Sequence, residues 1–384
     1  MSQIVTEEMK RDFIQRGYSR RSFGRISTML GAGAAALPFF SESAMAQLSM
    51  IGPMPPDAVK INANENPLGP CPAALEAMYS VLRQGGRYLY EETFNFQKTL
   101  AEVEGVKPTY VRPYPGSSDP LHRAVLAFTS PDKPFVMGDP GYEAGERAAR
   151  FVGSEVIRVP LKKDVSHDVK AMAAASPNAG LIYICNPNNP TGTITSRADI
   201  EWLCANKPKG AILLIDEAYI HLSKNAVPCS DMAGADKDVL ILRTFSKLYG
   251  MAGLRAGAAI ARPDLLEKIS SYGAGALPVT GMIGADASLK VKTLVAERRK
   301  IIADVREDVF AFMSKNNFSF VPSESNKFMA DVKRPGGEVV TAMAAEKVFI
   351  GRVWPAWPTH VRVSIGTKEE MAKFKLAFRK VMNA

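Results

Sequence analysis

Apolar residues in the middle of the chain fall into six short runs, at residues 135–137, 155–159, 181–185, 211–215, 239–242 and 256–260, separated by stretches of helix length. Each run is too short for a helix. The most continuous, Leu181-Ile-Tyr-Ile-Cys185, shows no polar alternation, which suits a strand buried on both faces. Strand-like runs therefore alternate with helical stretches, and the pattern predicts an α/β domain: a mostly parallel sheet with helices on both faces. Upstream, Leu75, Met78, Tyr79 and Leu82 form a helical stripe over residues 72–84, opened by Pro72 and closed by Gly85 and Gly86. Beyond Gly284 the pattern changes. Ile301, Val305, Val309 and Phe312 mark one face of a long helix, and short apolar runs then mix with two further helices, as in a smaller α+β domain. A ligand would lie between the two domains. The polar, turn-rich segment Lys60-Ile-Asn-Ala-Asn-Glu-Asn-Pro-Leu-Gly69 reads as a lead-in that crosses a surface.

The first 46 residues stand apart. Ser19-Arg20-Arg21-Ser-Phe23-Gly-Arg25 has a twin-arginine pattern, an apolar run follows over residues 26–40, and Ala44-Met-Ala46 is a small-x-small cleavage site. Residues 1–46 are expected to be an export signal for the twin-arginine route, which carries folded proteins, with the mature protein periplasmic or otherwise exported. No run reaches the roughly 18 apolar residues of a membrane span. In 384 residues, 46% hydrophobic and 23% charged, the composition is that of an ordinary globular protein. The net charge of +9 is spread among acids rather than clustered with aromatics, which argues against nucleic acid and suits anionic small molecules. Four cysteines and four histidines show no metal-ligand spacing, so no metal is expected.

The chemistry-bearing residues gather just after the apolar runs, where open α/β sheets place their ligands. In Arg243-Thr-Phe-Ser-Lys-Leu-Tyr-Gly-Met-Ala-Gly-Leu-Arg255, Lys247 offers an amine for an aldehyde cofactor, and Thr244, Ser246 and Arg255 offer partners for a phosphate. The same lysine could be a solvated loop residue. Asp216, ending the run 211–215, could hold a pyridinium nitrogen or cap the next helix, and Tyr219 stands three residues on. Asn189 sits in Pro187-Asn-Asn-Pro-Thr-Gly192, and Tyr142 in Asp139-Pro-Gly-Tyr142. Gly116, Ser117 and Ser118 precede a helix, either as an anion site or as a simple N-cap. Together these strand ends carry the set that pyridoxal 5′-phosphate requires.

With Asn62-Ala-Asn-Glu-Asn-Pro67, Arg87-Tyr88, Gly253-Leu-Arg255 and Val361-Arg-Val-Ser-Ile-Gly366 added, the chain resembles the class I/II (fold type I) aminotransferases, most of all their histidinol-phosphate aminotransferase branch. The resemblance covers residues 58–382. It implies a seven-stranded sheet, a large cofactor-binding domain at 76–285, a smaller domain at 286–384 and a lead-in at 47–75 packed against the smaller domain. It further implies that Lys247 is the Schiff-base lysine, Asp216 the pyridinium partner, and Asn189 and Tyr219 donors to the phenolic oxygen. Tyr142 would stack on the ring. Gly116, Ser117, Ser118, Thr244, Ser246 and Arg255 would surround the phosphate, joined by Tyr88 from the second subunit of a homodimer. Arg362 would clamp the substrate carboxylate, with Arg352 and Asn326 also facing the substrate. The implied reaction moves an amino group from an L-amino acid, aromatic or histidinol-phosphate-like, to a 2-oxo acid by ping-pong half-reactions. A decarboxylase or lyase using the same site, and a non-catalytic protein of the same fold, are the alternatives. Departures from the family pattern are Pro120 after Asp119, Lys327 where an aromatic is usual after Asn326, and Trp354 and Trp357 beside Arg352.

Overall fold

The computed structural model describes residues 7–31, 52–273 and 277–383. A short strand, β1 (Val59–Ile61), precedes seven that share one sheet: β2 (Val111–Tyr114), β3 (Phe135–Asp139), β4 (Val156–Pro160), β5 (Leu181–Cys185), β6 (Ile212–Asp216), β7 (Val239–Thr244) and β8 (Gly257–Ile260). Their order is β2-β8-β7-β6-β5-β3-β4, all parallel except β8, which runs antiparallel to both of its neighbours. Every residue of β5, β6 and β7 is buried, which is why those strands read as unbroken apolar runs. β2 escaped that pattern. It has four residues, one of them Pro113, and an edge strand tolerates the missing donor.

The later chain adds β9 (Ser319–Val321), β10 (Lys327–Asp331), β11 (Val348–Ile350) and β12 (His360–Ser364). β12, β10 and β9 form an antiparallel sheet, while β11 pairs in parallel with β1, so the lead-in joins the C-terminal part of the fold.

Two helical stripes differ from the sequence reading. The helix Pro72–Val81 buries Ala74, Met78 and Val81, and leaves Leu75, Tyr79 and Leu82 exposed on another face. The long helix Leu294–Lys315 buries Ile302 in place of Ile301. Its inner face also contains Arg298, whose guanidinium donates to the carbonyl of Leu248 at 3.1 Å, and an apolar-only pattern cannot register that position.

The N-terminal helices Glu7–Gln15 and Arg20–Gly31 lie against the body of the protein. Phe13, Tyr18 and Ile26 pack with Leu126 and Val152. Arg16 donates to the carbonyls of Leu126 and Thr129, at 2.5 and 2.8 Å, and to the Tyr272 hydroxyl at 2.8 Å. It thereby meets the C-terminal end of the helix Ser118–Phe128, where carbonyls lack intrahelical donors. Arg20 and Arg21 are exposed. Residues 32–46, with the Ala44-Met-Ala46 motif, lie outside the described residues.

Candidate active site

The carboxyl ends of β2, β5, β6 and β7 open onto one cavity, lined by Ser117, Ser118, Tyr142, Asn189, Asp216, Tyr219, Lys247, Arg255, Arg352 and Arg362 among others. Register explains the convergence. Gly257 of β8 pairs with Tyr114 on one side and Thr244 on the other, so the turn at Gly116 and the loop leading to Lys247 leave the sheet at one level. A Cβ at Gly257 would lie 2.6 Å from the Arg243 carbonyl oxygen and from the Gly116 carbonyl carbon, so the close approach requires glycine.

At the cradle end, Gly116 has φ +95° and sits where a Cβ would collide with the Arg255 guanidinium. Arg255 donates to the carbonyls of Ala252 and Pro115 at 2.7 and 3.0 Å and to Ser246 Oγ at 3.4 Å. Thr244 Oγ1 donates in turn to Ser246 Oγ at 2.9 Å. Ser118 opens the helix Ser118–Phe128, whose first N–H groups complete an anion site.

At the far end, the buried Asp216 carboxylate accepts from Tyr183 Oη at 2.9 Å and from the Ala218 N–H at 3.1 Å. Burial, the Asp216 charge and this hydrogen bond hold the Tyr183 phenol well above its ordinary range, so it stays a donor. Between the two ends stands Lys247, its Nζ 5.8 Å from the Tyr219 ring centre. An anion cradle, an amine and an acceptor-only carboxylate, arranged in that order, fit the phosphate, aldehyde and ring nitrogen of pyridoxal phosphate.

The lead-in does not cross a surface as its polarity suggested. Asn62, Asn64 and Asn66 are buried, and each has a bonding role. Asn64, in the left-handed region at φ 54°, donates from Nδ2 to the Tyr219 hydroxyl at 3.1 Å and to Asn189 Oδ1 at 3.4 Å. Asn66 donates to the carbonyl of Leu248 at 2.8 Å, next to Lys247. The Asn62 carbonyl accepts from Arg362 Nη2 at 2.7 Å, and Arg362 Nη1 reaches Asn189 Oδ1 at 3.2 Å. Burial, with Arg352 nearby, pushes the Arg362 guanidinium down to about 10.

Besides Gly116, four predicted residues stand off the cavity wall. Thr244 and Ser246 act behind Arg255, as above. Asn326 is buried and donates to the carbonyls of Asn64 and Glu65 at 3.2 and 3.3 Å, fixing the lead-in. Tyr88 is 77% exposed on the surface. Other residues went unnoticed in the sequence. Tyr183 lies inside an apolar run, Asn64 and Asn66 in a segment too polar to suggest burial, and Glu143 directly after Tyr142. Lys327 does carry a signal, a lone charge at the head of a buried strand. It is fully buried, with Nζ 3.0 Å from Ser325 Oγ and 3.1 Å from the Tyr219 ring centre. Trp354 does not line the cavity. It is buried behind Arg352 and Arg362, with their guanidinium carbons 4.1 and 5.2 Å from its ring centre.

Known proteins give the geometry a context. The profile of the family described as Aminotransferase class I and II matches residues 56–376. A histidinol-phosphate aminotransferase of Moorella thermoacetica is 30% identical over 333 residues, covering 85% of this chain and 86% of that one. An aromatic amino acid aminotransferase of Cutibacterium acnes is 31% identical, covering 82% of this chain and 90% of its own. The crystal structure of a histidinol-phosphate aminotransferase from Sinorhizobium meliloti in complex with pyridoxal-5′-phosphate superposes with a TM-score of 0.78 at 24% identity, covering 89% of this chain and 95% of that one.

Proposed function

Because the chain belongs to the aminotransferase class I and II family and is a pyridoxal-phosphate-dependent aminotransferase, we propose that it moves an amino group from an L-amino acid to a 2-oxo acid in two successive half-reactions at this cavity. What supports the reading is the convergence of Lys247, Asp216, Tyr219, Asn189, Arg255 and Arg362 at the strand ends. Bound pyridoxal phosphate supplies an aldehyde that links to amines and a cationic ring that accepts electrons when a substrate Cα loses its proton.

The protein's own groups make that chemistry usable. Lys247 Nζ would hold the aldehyde carbon and, as a free amine, would carry the proton between the substrate Cα and that carbon. Asp216, held by Tyr183 and Ala218, keeps the ring nitrogen protonated. Tyr219 Oη accepts from Asn64, so its own proton serves as a donor to the phenolic oxygen. Asn189 Oδ1 already accepts from Asn64 and Arg362, so its NH2 is the side left for the same oxygen. Arg255, Ser117, Ser118 and the Gly116 turn hold the phosphate, and Arg362 grips the α-carboxylate in a fork that lysine could not reproduce.

Two broader elements of the proposal rest on surface features. Leu75, Tyr79, Leu82, Tyr88, Tyr90 and Phe94 are exposed apolar or aromatic residues close together in the chain, which supports a homodimer in which Tyr88 reaches the partner's phosphate. The exposed Arg20-Arg21 pair and the Ala44-Met-Ala46 motif support export by the twin-arginine route, with the cofactor loaded beforehand.

Absorbance of the purified protein with a panel of amino donors tests the reading. The expected result is loss of the aldehyde-form spectrum on donor addition and its return with a 2-oxo acid, both absent in Lys247→Ala. Carbon dioxide release without amino transfer, or a variant indistinguishable from the parent, would overturn it.

A further inference from the structure

Arg352 lines the cavity beside Arg362, both guanidiniums lying over the Trp354 ring, so a donor held at Arg362 by its α-carboxylate has Arg352 as a neighbour. This guanidinium is already engaged. Its Nη1 and Nη2 donate to the two oxygens of Glu143, at 2.8 and 2.5 Å, in an end-on bidentate pair. The two side chains are only 16% and 14% exposed, so the pair is poorly screened by water. Trp354 lies against Arg352 and is itself fixed by a 3.0 Å bond from Nε1 to the Gly141 carbonyl. Gly141, Tyr142 and Glu143 follow one another in a single turn after β3, so one short loop carries the residue that faces the ring and the carboxylate that closes Arg352.

The charges on the wall then balance without a second substrate anion. Resting on the function proposed above, Asp216 answers the ring nitrogen, Arg255 the phosphate and Arg362 the α-carboxylate. Lys247 takes the aldehyde, Glu143 answers Arg352, and the ionic residue then left on the wall is the exposed Glu65. A carboxylate or phosphate on the donor's side chain would have to displace Glu143, leaving that carboxylate partly buried and unpaired. A cationic side chain would find both Glu143 oxygens already taken by Arg352. We infer that the amino donor carries an uncharged side chain, and that Glu143 is the residue that sets this preference by closing Arg352 to anions.

The test uses the holoenzyme, full-length, with leucine and phenylalanine as neutral donors and aspartate and glutamate as anionic ones. The parent is expected to favour the neutral group in kcat/KM by about tenfold or more, the factor that roughly 1.4 kcal/mol produces. Glu143→Gln, which keeps size but not charge, should shift the anionic-to-neutral ratio by a similar factor toward the anionic donors. A binding readout accompanies it: succinate, followed through the cofactor's absorbance, should bind Glu143→Gln more tightly than the parent. A parent that prefers an anionic donor, or a ratio and succinate affinity unmoved in Glu143→Gln and in Glu143→Ala, would overturn the inference and leave amino transfer intact. If no donor of either group discharges the cofactor, the transaminase reading fails and takes the inference with it.

Discussion

Replacing Arg243 with Met removes the cation that joins two strand ends of the active site. Arg243 is buried, and its fork donates to Glu104 at 2.6 and 2.8 Å, to Ser230 Oγ at 3.0 Å and to Glu217. Glu217 follows Asp216 and Arg243 precedes Thr244, so one ion cluster ties the end of β6 to the end of β7. Each charge-assisted hydrogen bond is worth about 1.5–3 kcal/mol, but the four share one cation and do not add. The better guide is the cost of stranding a buried charge, about 3–5 kcal/mol, and here two carboxylates are stranded. The variant should therefore lose about 3–5 kcal/mol, read as a lower urea midpoint by circular dichroism. The pH dependence is the sharper readout. In the native protein, burial pushes Glu104 up, but the charge and hydrogen bonds of Arg243 outweigh it and hold the carboxyl below its ordinary value. Without Arg243, burial raises both carboxyls above their unfolded values, so stability is favoured at acid pH and is lost as pH rises. The deficit relative to the parent should shrink between about pH 8 and about pH 5, and adding Glu104→Gln with Glu217→Gln should recover more than half of it. A deficit under about 1 kcal/mol, or one that grows on acidification, would refute the reasoning.

Lys327→Met should stabilise the protein at neutral pH. Burial, joined by Arg362 and Lys247, drives the Lys327 amine well below its ordinary value, so the unfolded chain binds the extra proton and parent stability rises with pH by up to about 1.4 kcal/mol per unit. That component of the slope should vanish in Lys327→Met, as thermal melts across alkaline buffers would report. Gly116→Ala should weaken cofactor binding by about tenfold or more, since the residue has a left-handed φ and its new Cβ displaces Arg255. Equilibrium dialysis against pyridoxal phosphate checks it, and unchanged affinity contradicts the cradle. Asn64→Ala removes donors to Tyr219 and Asn189 together and should lower kcat/KM by about tenfold, with a shifted pH profile of the cofactor spectrum. Tyr88→Ala should reduce phosphate affinity in a dimer and leave it unaltered in a monomer, distinguished by sedimentation of the same samples.

The central sheet was legible because strands buried on both faces must be apolar throughout, as β5 and β6 are. The polar residues at their ends were legible because so few residue types can follow such strands and meet one cofactor. What escaped the sequence depends on pairing across long stretches of chain. Asn64 meets Ser364, 300 positions away, and only that meeting shows why a run of asparagines is buried. Glu143 reaches Arg352 across 209 positions, and nothing local to either residue announces the pair. Ile301 and Leu75 read as part of an apolar helical face, yet the structure leaves them exposed, for a related reason: helical periodicity gives a face but not its partner, and Arg298 can complete an inner face as well as a leucine can.

The N-terminal helices give the protein's opening segment a mechanical part in the enzyme. Arg16 anchors one end of the helix Ser118–Phe128, and the opposite end, about 16 Å away for 11 residues, forms part of the anion cradle. A rod held at both ends links its two clamps, and linkage acts in both directions by the same factor. If a filled cradle steadies the rod, it also strengthens the seat of the N-terminal helices, and helices that leave that seat weaken the hold on the cofactor. A chain without these two helices would then be a different enzyme, with its own affinity for the cofactor it carries.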